Sequence, residues 1–316
     1  MEGVIHKSTG SWYEVKTSDG QSFHCRLAGK IRLKGLELTN PVAIGDRVLF
    51  ETEASHTGQG IISDILPRTN YIVRQSPRQK HQMHLIAANI DQAAVIVTLV
   101  KPTLKPGFID RYLLMTEPHD IPALIIFNKF DLYDEKAREE LAYFSALYEQ
   151  IGYRTFPVSA FDGTGLEALR QALWGKMTLI GGQSGVGKST LVSALFPGLD
   201  LKTGLLSKQT GKGMHTTTFA EMFDVTKGTH IIDTPGIKLL SYNNLSKMDV
   251  AHNFREFFLL SAECRFGGAC THTVEPGCAV IKALENEEIS PYRYQNYLNI
   301  IEDIDGQNYW ERKKEY

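Results

Sequence analysis

The segment Gly182-Gln183-Ser184-Gly185-Val186-Gly187-Lys188-Ser189 decides the fold. It matches the pattern G-x-x-x-x-G-K-[ST] at every specified position, follows the apolar run MTLIGG and precedes a helical stretch. In such a setting glycines let backbone N–H groups surround phosphate oxygens, and the helix N-terminus attracts negative charge. We therefore predict that residues 182–190, through Thr190, bind a nucleotide. Lys188 would reach the β- and γ-phosphates as a catalytic group, and Ser189 would hold Mg²⁺.

A second motif, NKFD at residues 128–131, lies upstream and is predicted to choose the base. Asp131 offers two acceptors to the N1–H and exocyclic amine of guanine, whereas adenine presents the opposite pattern. Asn128 would brace the base and the neighbouring loop, and Lys129 would cover one face of the base. The motif predicts GTP rather than ATP.

A further base contact is predicted after the short strand TFPVSA. Ser159-Ala160 would place the Ala160 backbone N–H near guanine O6. This pair is a weak signal alone and gains meaning from the two stronger motifs.

Two segments downstream of the phosphate loop are predicted to sense the γ-phosphate. In GKGMHTTT (211–218), Thr217 or Thr218 would coordinate Mg²⁺ when that phosphate is present. In IIDTPG (231–236), Asp233 would hold Mg²⁺ and the Gly236 N–H would contact the γ-phosphate. A polar loop and a plain turn are the alternatives for these segments.

The residue that orients the attacking water is less clearly marked. Many GTPases carry a glutamine just after the D-x-x-G motif. That position is Ile237 here, which cannot hydrogen-bond to water. His215 is our candidate instead, and a loop histidine that contacts solvent or a partner is the alternative.

The order of the motifs predicts a circularly permuted GTPase, because the base motif precedes the phosphate loop. The runs AAVIVTLV (93–100) and ALIIFNK (123–129) are continuously apolar, which is typical of strands buried on both faces of a parallel sheet. They alternate with helical segments, so the central part is predicted to be a doubly wound α/β domain. We place it at residues 67–243.

Residues 1–66 are predicted to form a separate small β-barrel from five short strands. An oligonucleotide-binding (OB) barrel and an SH3-like barrel both fit this pattern. Residues 244–316 are predicted to be mostly helical and to bind zinc. The ligands would be Cys264, Cys270, His272 and Cys278, a Cys₃His set that leaves no open position, so the metal would be structural. Ordinary buried cysteines and a stray histidine are the alternative.

Composition limits the class of protein. The 316 residues carry a formal net charge of -2, so a global basic field for nucleic acid is excluded. RNA binding would need local basic groups, namely Arg26, Lys30, Arg32 and Lys34, or Arg74, Arg78 and Lys80; solvated charged faces are the alternative. We expect a cytoplasmic protein, because the chain has no apolar run long enough to span a membrane, no signal-peptide pattern and only four cysteines.

Taken together, these motifs resemble the RsgA (YjeQ) family of ribosome small-subunit-dependent GTPases over nearly the whole chain. The residues that carry the resemblance are the barrel followed by NKFD, SA, GQSGVGKS, GKGMHTTT, DTPG and C…CTH…EPGC. The resemblance implies an OB-fold N-terminal domain, GTP hydrolysis stimulated by the 30S subunit, a late role in its maturation, and contacts of the barrel and zinc domains with 16S rRNA. We expect a monomer that binds GTP and GDP, with other small-subunit assembly factors as further partners. The alternative is a GTP-controlled RNA- or protein-binding switch with incidental hydrolysis.

Overall fold

Alternating inward apolar and outward polar residues build five strands at the N-terminal end. The computed structural model describes residues 1–29, 40–53, 57–75, 83–197, 220–233 and 245–312. The strands are β1 (Glu2–Ser8), β2 (Tyr13–Lys16), β3 (Ser22–Leu27), β4 (Arg47–Thr52) and β5 (Gln59–Ile65). They pair in the order β1-β2-β3-β5-β4, and β4 returns to β1 to close a barrel. The predicted barrel of five strands is confirmed.

The strand order distinguishes between the two barrel types. Strands β3 and β5 are parallel, whereas the other barrel neighbours are antiparallel. A closed barrel of five strands with a non-sequential neighbour is the OB type. Its interior is filled by Ile5, Val15, Phe23, Phe50 and Ile62, all of them buried.

A hairpin that the sequence analysis did not predict follows the barrel. It consists of β6 (Tyr71–Gln75) and β7 (Met83–Ala88), which pair antiparallel. The Ala88 N–H donates to the Ile44 carbonyl at 2.8 Å and so ties the hairpin to the barrel. Within this segment the sequence had indicated only basic residues. Of these, Arg78 and Lys80 lie outside the described residues, as do Lys30, Arg32 and Lys34 of the barrel.

The central sheet has the predicted parallel core. Its strands are β8 (Gln92–Val97), β9 (Ala123–Phe127), β10 (Arg154–Pro157), β11 (Met177–Gly182), β12 (Glu221–Thr226) and β13 (Thr229–Asp233). In the order β10-β9-β8-β11-β13-β12, all neighbours are parallel except β12, which runs antiparallel to β13. Every residue of β8 and β9 is buried, as expected for strands that are covered on both faces.

Helices cover both faces of this sheet. They are α1 (Phe108–Leu113), α2 (Glu135–Gln150), α3 (Leu166–Leu173) and α4 (Lys188–Leu195). Alternate residues of β8 pack to opposite sides, Val95 with α1 and α2 and Ile96 with α3 and α4. The doubly wound α/β fold is therefore confirmed.

The C-terminal region is helical and has its own core. It contains α5 (Lys247–Asn253), α6 (Arg255–Ser261), α7 (Ala279–Glu285) and α8 (Pro291–Arg312). Phe254, Phe257 and Tyr297 pack there against three buried cysteines. Among the described residues, no helix has both the length and the apolar character needed to cross a membrane.

The barrel and the central sheet are joined edge to edge. Strand β1 pairs with β12 at Lys7 and Glu221, whose side chains form an ion pair of 3.0 Å. As a result, eleven of the strands that the structure describes belong to one sheet. This junction lies directly before β13, the strand that ends at Asp233.

Candidate nucleotide site and metal centre

The phosphate loop joins β11 to α4 through two positions that require glycine. Gly182 has a φ of 153°, and a Cβ atom there would lie 2.2 Å from the Ile96 carbonyl oxygen. Gly187 has a φ of 89°, and its Cβ atom would lie 2.7 Å from Asn128 Nδ2. The loop backbone therefore approaches its neighbours too closely for any side chain at these positions.

Lys188 is the first residue of α4, and its side chain folds over the loop. Its ammonium donates to the carbonyls of Gly182 at 2.9 Å and Gln183 at 3.0 Å. The charge is thus held directly above the loop that is predicted to bind phosphate. Ser189 and Thr190 follow in the first turn of α4.

The base motif is physically attached to the phosphate loop. Asn128 is buried, and its amide donates to the Val186 carbonyl at 2.8 Å. Lys129 Nζ donates to the Gly185 carbonyl at 2.7 Å and to the Lys101 carbonyl at 2.6 Å. The structure therefore brings together two motifs that lie more than fifty residues apart in the chain.

Asp131 is oriented by the predicted second base motif. The Ser159 hydroxyl donates to Asp131 Oδ1 at 2.6 Å, and it accepts from the N–H groups of Phe161 and Asp162 at 3.1 and 3.2 Å. Ser159 is fully buried, whereas Asp131 is exposed. The carboxylate is therefore held by Ser159 through one oxygen and remains accessible to solvent. Ala160 follows Ser159 and is half-buried.

Asp233 lies beside the phosphate-loop strand. It is the last residue of β13, where it is in register with Ile180 of β11, and it is 4% exposed. The other residues predicted to sense the γ-phosphate or the water, namely His215, Thr217, Thr218 and Gly236, lie outside the described residues.

The predicted metal ligands converge. Cys264, Cys270, His272 and Cys278 are all buried, and one ligand atom of each lies within 4.8 Å of all the others. The Cys264 and Cys278 sulfurs are 3.9 Å apart, and His272 Nδ1 is 3.6 and 3.4 Å from them. Tetrahedral bonds of about 2.3 Å to sulfur and 2.05 Å to nitrogen would require separations of roughly 3.8 and 3.5 Å. The donor set therefore has the size of a four-coordinate metal site.

Burial explains why these groups need a cation. Desolvation raises the pKa of Cys270 to about 12 and lowers the pKa of His272. The lowered pKa of His272 favours the neutral imidazole, which is the form that binds a metal. Burial also raises the pKa of Cys278, so the Cys270 and Cys278 thiols favour their protonated form unless a cation stabilises the thiolates.

Sequence reasoning missed Glu275, which organises the metal loop, the segment 264–278 that carries the four predicted metal ligands. Its carboxylate accepts from the N–H groups of Thr271 at 2.7 Å, Thr273 at 2.8 Å and Val274 at 3.1 Å. Although partial burial opposes its charge, these bonds and the Thr271 hydroxyl lower the pKa of Glu275 to about 2. The one available signal was its position within the quoted Glu-Pro-Gly-Cys segment.

Tyr133 was also missed, and it supports the base motif. Its hydroxyl donates to the Asn128 carbonyl and accepts from the Leu99 N–H, both at 3.0 Å. It thereby joins the ends of β8 and β9. A tyrosine two residues after NKFD carries no pattern that would have indicated this role.

Comparisons with known proteins agree with this geometry. Residues 65–243 match the family described as RsgA GTPase, and residues 2–62 match the RsgA N-terminal domain. A relative from Bacteroides fragilis, named small ribosomal subunit biogenesis GTPase RsgA, is 48% identical over 98% of this chain and 99% of its own. A relative of the same name from Flavobacterium psychrophilum is 45% identical over 96% of this chain and 94% of its own.

Two solved structures have the same architecture. YjeQ from Thermotoga maritima superposes with a TM-score of 0.77 at 31% identity, covering 96% of this chain and 98% of that one. YloQ, described as a circularly permuted GTPase, superposes with a TM-score of 0.73 at 27% identity, covering 97% and 95%. The motif order, the joined base and phosphate loops and these similarities lead to one conclusion: the chain belongs to the RsgA family of circularly permuted GTPases.

Proposed function

We propose that this chain hydrolyses GTP as a late maturation factor of the small (30S) ribosomal subunit, which stimulates the reaction. The observation that carries the proposal is the direct attachment of NKFD to the phosphate loop through Asn128 and Lys129. The relatives named small ribosomal subunit biogenesis GTPases, which match nearly the full length, support the assignment of the partner.

The proposed site residues have three roles: they bind the phosphates, neutralise the phosphate charge and recognise the base. Backbone N–H groups of residues 182–190 bind phosphate oxygens, Lys188 neutralises the β- and γ-phosphates, and Asp131 reads guanine with Asn128, Lys129, Ser159 and Ala160 around it. Catalysis then consists mostly of positioning and electrostatic stabilisation. Ser189 and Asp233 fit as ligands of Mg²⁺, which would neutralise charge that develops between the β- and γ-phosphates.

The segments on either side of β12 and β13 complete the proposal. Thr217 or Thr218 is our proposed third protein ligand of Mg²⁺, and Gly236 our proposed γ-phosphate donor. His215 is proposed to orient water, because Ile237 occupies the position at which other GTPases place glutamine.

We further propose that the Cys₃His site holds one structural zinc ion. The separations within the donor set and its mixture of sulfur and nitrogen suit Zn²⁺. The proposed partners are the 30S subunit with its 16S rRNA, GTP and GDP, and other small-subunit assembly factors. We propose that the chain acts as a monomer in the cytoplasm. The divisions at 66/67 and 243/244 remain part of this proposal.

GTP turnover with and without purified 30S subunits tests the proposal. We expect strong stimulation by 30S subunits and no competition by ATP. His215→Ala should keep GTP binding and lose most of the stimulated turnover. Turnover that 30S subunits leave unchanged would refute stimulation by the small subunit.

The absence of a glutamine at Ile237 favours one second candidate, a GTP-controlled binding switch with incidental hydrolysis. Co-sedimentation with 30S subunits in GDP and in a non-hydrolysable GTP analogue separates the two. State-dependent binding without stimulated turnover would support the second candidate, and equal binding in both states would rule out any switch.

A further inference from the structure

A cavity on the outer face of the barrel is lined by none of the residues that are predicted to bind GTP. Its volume is about 480 Å³, within the range of about 300–1,000 Å³ that is typical of small-ligand sites. It is lined by Lys7, Thr9, Trp12, Tyr13, Glu14, His24 and Gln59. All of these residues belong to the barrel.

The register of the sheet explains how the cavity is built. Lys7 pairs with Glu14, Glu14 with His24, and His24 with Gln59. Four polar side chains therefore form one row across β1, β2, β3 and β5. The row supplies a cation, a carboxylate, an imidazole and an amide.

An aromatic ring and a guanidinium lie beside this row. The pairing of Tyr13 with Cys25 places Trp12 next to Arg26, and the Arg26 guanidinium stacks 3.9 Å from the Trp12 ring centroid. Stacked aromatic and arginine planes are the groups on which proteins place unpaired bases. In OB barrels, the face formed by the second and third strands is the one that binds oligonucleotides.

We propose that this cavity binds one unpaired RNA nucleotide whose base carries an exocyclic amine. The base stacks on the Trp12–Arg26 pair. Its phosphate lies towards the Arg26 cation, because the Lys7 ammonium is already paired with Glu221 at 3.0 Å. A carboxylate repels phosphate but accepts hydrogen bonds from an amino group such as cytosine N4. Glu14 therefore reads the base edge, and Gln59 and His24 add hydrogen bonds to the same edge. The inference rests on the proposed function, in which the partner of the chain contains RNA.

Octanucleotides of cytidine and of uridine, labelled at one end, are the probes, and anisotropy with the full chain at low ionic strength is the readout. These pyrimidines differ at C4, where cytosine has an amine and uracil a carbonyl. We expect the wild type to bind oligocytidine about fivefold or more tightly than oligouridine. Glu14→Gln should remove this preference.

The ring is tested by Trp12→Leu, which keeps apolar bulk but removes the stacking face. We expect the affinity for oligocytidine to fall about five- to hundredfold, and Trp12→Phe to restore most of it. Trp174→Leu is the matched control, because Trp174 is 58% exposed and lies on the GTPase domain. Unchanged basal GTP hydrolysis and circular dichroism in Trp12→Leu show that the fold is intact.

Any of three results would overturn the proposal. The wild type and Trp12→Leu could bind oligocytidine equally, the wild type could bind the two octanucleotides equally, or the wild type could bind neither. A Trp12→Leu variant that loses 30S affinity but keeps oligocytidine affinity would also overturn it and would indicate a ribosomal protein at this cavity. These outcomes leave stimulation of the wild type by 30S subunits untouched. Failure of that stimulation is the separate result that refutes the proposed function.

Discussion

At the scale of single residues, the proposed choice of guanine depends on a carboxylate, Asp131, that the protein orients before any base binds. Ser159 holds Asp131 Oδ1 at 2.6 Å, and its own hydroxyl is fixed by two backbone N–H groups. Because the Asp131 side chain is already held in one orientation, binding of guanine would cost less conformational entropy than binding to a freely rotating carboxylate. Tyr133 acts on the backbone instead, because its hydroxyl donates to the carbonyl of Asn128.

Asp131→Asn tests the base assignment. The asparagine amide places a donor where guanine also has a donor, so GTP affinity should fall on the order of a hundredfold. Xanthosine triphosphate, with a carbonyl in place of the guanine amine, should gain affinity. Fluorescent-nucleotide titration measures both changes.

A matched control lies three residues away. Asp134 caps α2 by accepting from the Ala137 N–H at 2.9 Å, and asparagine caps helices as well as aspartate does. Asp134→Asn should therefore leave both affinities unchanged. If Asp131→Asn behaves like this control, Asp131 does not read the base.

At the scale of elements, two short segments are held in place by charged side chains: the loop between α6 and α7, and the junction between β1 and β12. The metal loop between α6 and α7 has few apolar contacts besides its cysteines, and Glu275 organises its backbone. The β1–β12 junction depends on the Lys7–Glu221 pair and on a second cluster formed by His6, Asp224 and Lys16.

Removing one metal ligand should unfold the C-terminal loop. Cys278→Ser removes a thiolate and should abolish stoichiometric zinc, together with folding energy on the order of 10 kcal/mol that the metal supplies to this region. Zinc content by elemental analysis and amide exchange of α6 and α7 measure the two effects. Cys25→Ser is the control, since Cys25 is buried in the barrel; full zinc content in Cys278→Ser would contradict the site.

The β1–β12 junction should weaken in acid because of His6. Burial lowers the pKa of His6 from 6.5 to about 4; Lys16 and His230 act in the same direction, and Asp224 and Glu14 oppose it. The folded state therefore resists a proton that the unfolded chain accepts. The contribution of neutral His6 to the free energy of unfolding is fully present above pH 6.5 and is lost as the pH falls towards 4. The loss is about 3 kcal/mol at most.

Amide protection of β1 and β12, corrected for intrinsic exchange, measures this loss between pH 6.5 and 4. His6→Gln cannot be protonated and should flatten the pH dependence. His24→Gln, at an exposed histidine of the same barrel, should retain it. The explanation fails if both variants follow the wild type.

At the scale of the whole molecule, a buried polar network joins the GTPase domain to the C-terminal helices. Asp110 of α1 accepts from Arg293 Nη1 and Asn296 Nδ2, both at 2.5 Å, and from the Tyr148 hydroxyl at 2.7 Å. Arg293 also donates to Glu256 of α6 at 2.7 and 2.9 Å. Because Asp110 and Arg293 are almost inaccessible to water, the two domains can separate only by exposing or orphaning these charges.

Arg293→Met should release the C-terminal domain from the GTPase domain. It leaves the buried Asp110 and the partly buried Glu256 without their cation, which costs about 3–5 kcal/mol. Chemical denaturation and amide exchange of α1 and α8 measure the loss. Arg111→Met is the control, because its partner Asp303 is half exposed and such a pair contributes at most about 1 kcal/mol; equal effects of the two variants would contradict the network.

Much of this organisation was predictable because it is local. Five barrel strands, the parallel sheet and α2 follow from periodicity, since an apolar residue must face a core wherever the element lies. The β6–β7 hairpin, β12 and α5 were missed. Strand β12 mixes buried and exposed residues, and it is a strand because β13 and β1 pair with it on either side.

The sequence by itself determined the chemistry: a phosphate loop, a guanine motif, a Cys₃His set, and their permuted order. Each depends on residue types at short spacing, so it can be recognised without coordinates. Only the tertiary structure decided which of two barrel types forms, that Ser159 orients Asp131, and that Asp110 meets Arg293 across 183 residues. Pairings over such distances leave no mark on local spacing, because they arise only when packing brings separate elements together.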